Sequence, residues 1–100
     1  MRTTRRLGLL LFIVVMYLIV VGVNTYMHEE VHKAIYVQYG CSNVTVEYSL
    51  TGGSTTCLDG SRYDTKGNEF HIINEIVGYN TQTLMVLIFV GTVTYVVLKD

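Results

Sequence analysis

The chain has 100 residues, half of them hydrophobic, with a formal net charge of −1, no proline and two cysteines. That length allows one small domain at most, and the lack of a basic excess argues against nucleic acid as a partner. The apolar residues gather in two long runs, a pattern of membrane spans more than of a soluble core.

The first run extends from Leu7 to Val23 without a charge, and uncharged sequence continues to Met27. At about 1.5 Å per residue, residues 7–27 match the thickness of a bilayer core. Residues 76–98 match it again. Arg2, Arg5 and Arg6 precede the first run, and no Ala-x-Ala-like cleavage site follows it, so an uncleaved anchor is expected. The segment from 24 to 82 carries seven acids and three bases, whereas the basic cluster lies before the first span. Positive flanks stay inside, which predicts cytoplasmic termini and an extracytoplasmic middle. The expected organisation is a cytoplasmic N-terminus (1–6), a span (7–27), an outer domain (28–75), a second span (76–98) and a cytoplasmic end (99–100). The expected location is an integral membrane protein, in the plasma membrane.

Directly after the first span comes His28-Glu29-Glu30-Val31-His32, an H-E-x-x-H sequence. Positions i and i+4 of a helix share a face, so His28 and His32 can offer two neutral nitrogens to one Zn²⁺. Glu29 sits beside them, where a carboxylate can take a proton from water. The competing reading is a wet helix turn at the membrane surface with Glu29 and Lys33 as an i,i+4 ion pair. The helix is expected to run from residue 7 to about 39 and to stop at Gly40.

After Gly40 the period changes to two. Val44, Val46, Tyr48 and Leu50 alternate with polar residues from Asn43 to Thr51, a half-buried strand. Gly52-Gly53 reads as the hairpin turn, and Ser54–Leu58 as the returning strand. Cys57 would then lie near Cys41. In an oxidising compartment the two should be joined, closing a loop of about 15 residues worth roughly 3 kcal/mol. A thiolate zinc ligand is the alternative use of the pair. Asn43-Val44-Thr45 is a glycosylation sequon.

Asn68 is the expected cap of a second helix that continues into the second span. His71, Glu75 and Gly78 fall on one of its faces. A catalytic zinc takes three protein ligands, and the candidates for the third are Glu75, His71, Asp59 and the cysteines. Glu75 is preferred: an acid in an apolar helix at a membrane edge is costly unless paired or metal-bound. The other use of such an acid is a surface carboxylate paired with Lys33 or Arg62.

His28-Glu29-Glu30-Val31-His32 with Asn74-Glu75 resembles the gluzincin metallopeptidases of the thermolysin type. That resemblance implies zinc held by His28, His32 and Glu75, with Glu29 as general base. It covers about ten residues directly. The gap between His32 and Glu75 is longer here, Tyr79 stands where that family's later aspartate would be sought, and the family's upstream substrate-binding sheet has no counterpart. The H-E-x-x-H with Leu58-Asp59-Gly60 is similar to the site-2 intramembrane metalloproteases, which implies Asp59 as third ligand. The Asn and Pro residues that family carries on a membrane helix are missing.

The expected fold is therefore α+β in a membrane: two long transmembrane helices extending outside it, joined by a small disulfide-tied β-hairpin. The expected activity is zinc-dependent hydrolysis of peptide bonds near the outer membrane surface, with His71, Tyr79 or Tyr63 as candidates to steady the oxyanion. Expected partners are membrane lipid and a peptide or protein substrate; a homo-oligomer or larger membrane complex would complete a cleft that so small an outer segment forms poorly. The alternative is a non-catalytic membrane subunit in which a structural zinc or a polar cluster pins the two helices, with a cysteine or His71 as fourth ligand.

Overall fold

The computed structural model describes residues 2–49, 52–60 and 65–99. They form helix α1 (Thr3–Gln38), strand β1 (Val44–Ser49), strand β2 (Gly52–Cys57) and helix α2 (Asn68–Leu98). With no proline to interrupt it, α1 runs unbroken for 36 residues and carries the H-E-x-x-H sequence in its last third. It stops where expected. Gly40 takes φ 101°, Cys41 N–H donates to the Tyr36 carbonyl at 3.0 Å, and Gly40 N–H donates to Val37 at 3.1 Å. This is a Schellman closure, which turns the chain out of the helix and leaves Cys41 buried at its end.

The hairpin is antiparallel, with Val44 opposite Cys57, Val46 opposite Thr55 and Tyr48 opposite Gly53. The alternation read from the sequence holds at Val44 and Val46, which are half-buried, while Thr45 and Glu47 are exposed. Tyr48, on the same face, fastens the hairpin to α1: its hydroxyl donates to Glu30 at 2.8 Å and its ring stacks near Tyr26. The Gly52-Gly53 expectation is corrected. Both glycines belong to β2, paired with Ser49 and Tyr48, and residues 50 and 51 between the strands lie outside the described residues. Space explains the glycine at 53: a Cβ there would stand 2.9 Å from Glu29 Cγ and from the Glu47 carbonyl. Glycine lets the hairpin approach α1 rather than turn the chain.

The disulfide joins Cys41 and Cys57, whose Cα atoms are 6.2 Å apart. It ties the end of α1 to the end of β2. Asn68 is not the cap of α2; Gly67 is, with φ 70°, and Asn68 is the first helical residue. A Cβ on Gly67 would meet Ile35 Cγ2 at 2.8 Å and the Tyr39 ring at 2.9 Å, so α2 begins pressed against the end of α1.

From there α2 runs back antiparallel to α1 in a molecule 59 × 20 × 15 Å. Tyr17 stacks on Phe89 with centroids 4.2 Å apart, and Arg6 Nη2 donates to the Lys99 carbonyl at 2.6 Å. Both helices are long and apolar enough to cross a membrane. Among the described residues the only buried apolar side chains are Cys41 and Val96, while Leu11 and Leu98 are 66% and 73% exposed.

Candidate metal centre

The two helices bring His28, His32 and Glu75 together. Glu75 Oε1 lies 3.0 Å from His28 Nε2 and 2.6 Å from His32 Nε2. The histidines are one turn apart on α1, and their rings meet edge to face at 4.7 Å. Both rings are largely buried, and the Glu75 side chain is 42% exposed. Close approach of the helices makes this possible. Asn74 Nδ2 donates to the His28 carbonyl at 3.0 Å, and Gly78 leaves room for the His28 ring, whose Nδ1 would lie 2.7 Å from a Cβ at that position.

The charges follow from these contacts. Burial alone would raise the Glu75 carboxyl, but the hydrogen bonds from His32 and His28 outweigh it and hold the group below its usual range. His71 lies on the far side of His32, with their Nδ1 atoms 2.6 Å apart and their rings stacked. Burial, and then the neighbouring His32, hold its imidazole below the usual 6.5, against the opposite pull of Glu75. His71 is thus neutral at pH 7 and serves as a hydrogen-bond partner. Its Nε2, and His28 Nδ1, are buried and have no partner among the described residues.

Glu29 is 5% exposed. Its Oε2 accepts a short hydrogen bond from Thr55 Oγ1, which also stands 3.2 Å from the Glu29 backbone carbonyl. A Glu29–Lys33 ion pair does not form; the hairpin takes the carboxylate instead. Nothing local in the sequence distinguishes Thr55 from Thr56. Only the register, two residues from Cys57 on the inner face, points to it.

Glu75, His28 and His32 are two nitrogens and one carboxylate oxygen within ligating reach of one another, a donor set that suits zinc. Among the described residues no fourth His, Cys, Asp or Glu joins them. Cys41 and Cys57 cannot serve as thiolates, because they are bonded to each other. His71 reaches His32 through Nδ1, on the other side of the ring from Nε2. Asp59 stands at the disulfide end of the hairpin, where its Oδ2 accepts from Ser42 N at 2.6 Å and Ser42 Oγ at 2.7 Å. Tyr63 and Arg62 lie outside the described residues.

Two cavities open at the cluster. One, of about 230 Å³, is lined by His28 and reaches Val21 and Met85; the other, of about 560 Å³, is lined by His32 and His71 and reaches Tyr36 and Asn68. Glu29, Gly53, Glu75 and Tyr79 border both. Comparison with protein-family models, with curated proteins and with solved structures finds no match to this chain.

Proposed function

We propose that the chain is a membrane-anchored zinc metallopeptidase acting near the outer membrane surface. The observation that carries this reading is the convergence of His28, His32 and Glu75 on one point beside a cleft that Glu29 also borders. The membrane placement is supported by the helices themselves. Leu7, Phe12, Leu84 and Ile88 are each more than half exposed, an apolar surface that water does not tolerate and lipid does. The Arg2/Arg5/Arg6 cluster supports cytoplasmic termini, with the hairpin and the cluster outside.

Two imidazoles and a carboxylate leave room for a fourth position, as a catalytic site requires. Zinc bound there would polarise a peptide carbonyl and acidify water. Glu29 would take the proton of the attacking water and pass it to the leaving amine. Thr55 holds the Glu29 carboxylate in place for this, and Gly53 gives the hairpin backbone room to lie beside it. His71 holds His32 from behind.

A second reading is favoured by one feature: Glu75 already bonds both histidines, and so ties α2 to α1 without further help. In that case the protein is a non-catalytic subunit and the cluster is a staple. Metal content and peptide hydrolysis separate the two. His28→Ala and Glu75→Ala should each lose zinc, whereas Glu29→Gln should keep zinc and lose hydrolysis by about 10²–10⁴-fold. If wild type binds zinc and Glu29→Gln changes no reaction, the staple reading replaces the enzyme. If wild type binds no zinc, the centre is a polar cluster only.

A further inference from the structure

The cleft does not stop at the cluster. From His28 it continues along α1 to Thr25, Asn24 and Val21, and from Glu75 along α2 to Gln82 and Met85. At about 1.5 Å per residue this is some 10–15 Å beyond the cluster, inside the segments that read as membrane spans. The opposite cavity leads the other way, past Ser54, Thr55 and Asn68, toward the hairpin. The two cavities share Glu29, Gly53, Glu75 and Tyr79 as lining residues. The cluster therefore lies between one cavity flanked by the segments that read as spans and another beside the hairpin.

Resting on the metallopeptidase reading, we infer that the substrate is a polypeptide anchored in the same membrane by an apolar helix, cut where that helix leaves the bilayer. A soluble peptide would have to carry unpaired backbone groups into hydrocarbon to fill the inner cavity, at several kcal/mol each. A membrane-anchored chain is already there. To reach the cluster it must unwind its last turn, which frees backbone N–H and C=O groups. Asn24, Thr25 and Gln82 line the inner cavity where those groups would lie, and their amides and hydroxyl can replace the lost helical bonds. The chain continues past the cluster in extended form. Its flank beyond the cut then lies in the outer cavity, whose volume of about 560 Å³ falls within the usual range for ligand sites, roughly 300–1,000 Å³.

The full zinc-loaded chain, reconstituted in liposomes, tests this with a library of randomised peptides presented in three ways. One is free, one is fused directly to an apolar helix of about 20 residues, and one is held to that helix by a flexible linker of about 20 Gly/Ser residues. The linker form has the same surface concentration as the direct fusion. The expected result is cleavage of the direct fusion at least tenfold faster than of the linker form, within a few residues of the apolar boundary. Asn24→Leu combined with Gln82→Leu should shrink that ratio. Equal cleavage of the fused and linker forms overturns this inference and leaves the metallopeptidase reading standing; no cleavage of any form overturns both. A second measurement needs no turnover. In Glu29→Gln protein, a photoactivatable residue at Met85 should crosslink to the directly fused peptide, and crosslinking to lipid alone overturns the inference.

Discussion

His32 and His71 share one hydrogen bond through their Nδ1 atoms, 2.6 Å apart, although 39 residues separate them. Two imidazole nitrogens at that distance hold one proton between them, so each ring sets the tautomer of the other. With His32 Nε2–H turned to Glu75, His71 is the donor. A metal at His32 Nε2 would reverse the pair, with His32 Nδ1–H donating and His71 accepting. A partner of this kind behind a ligating histidine is commonly worth 10–100-fold in metal affinity. His71→Ala should lower zinc affinity by about that factor in chelator competition. His71→Gln, able to donate or accept at the same place, should recover most of it. Equal losses in both variants would mean that His71 only fills space.

Thr55 gives a separate handle on Glu29. Thr55→Val keeps the shape and removes the hydroxyl that holds the carboxylate. Zinc content should stay at the wild-type level, because Glu29 is no ligand in the proposed centre. Peptide hydrolysis should fall by roughly ten- to a hundredfold, the cost of a misplaced catalytic group. Unchanged hydrolysis would show that the hydrogen bond does not position the base.

Gly78 predicts a conflict between local and tertiary effects. In a helix, Gly→Ala is favourable by about 1 kcal/mol. At position 78, however, the new methyl would meet the His28 ring at 2.7 Å. Gly78→Ala should therefore weaken zinc binding at least tenfold despite its better helix propensity. Gly91→Ala, where a Cβ has nothing within 4 Å, should leave zinc affinity alone. Tight zinc binding by Gly78→Ala would mean that the helices separate easily.

Acid should destabilise the metal-free protein in two stages. His71 has a folded pKa below 6.5, so its contribution is whole above about 6.5 and is lost as pH falls from there through the lowered value. Glu75 has a folded pKa below the usual carboxylate range; its contribution is whole above that range and is lost only at still lower pH. Thermal unfolding of metal-free protein between pH 8 and 3 should show the first fall beginning near pH 6.5. In His71→Gln that early fall should disappear while the later one remains. A single fall at carboxylate pH in wild type would contradict the lowered His71 value.

Much of this molecule is legible in the chain because the relevant spacings are local. A spacing of four puts His28 and His32 on one face of any helix, and period-two alternation from Val44 marks a strand wherever it packs. The second helix, from Asn68 to Leu98, and the pairing of Cys41 with Cys57 across a short hairpin were readable for the same reason. The choice among distant candidates was not. Glu75, His71, Asp59 and the cysteines all had chemistry suited to the histidine pair, and only the docking of α2 on α1 decides between them. It sets the Glu75 carboxylate on the Nε2 side of the pair and puts His71 behind His32, while the hairpin's own contacts keep Asp59 with Ser42 and both cysteines in the disulfide. A Gly-Gly sequence signals backbone freedom, whereas Gly53 answers to the space beside Glu29, 24 residues away. Thr55 had no signal at all, since its role exists only when the hairpin lies against the helix. Backbone periodicity is a property of neighbours in sequence, but a converging site is set by rigid elements meeting, and that depends on every contact between them.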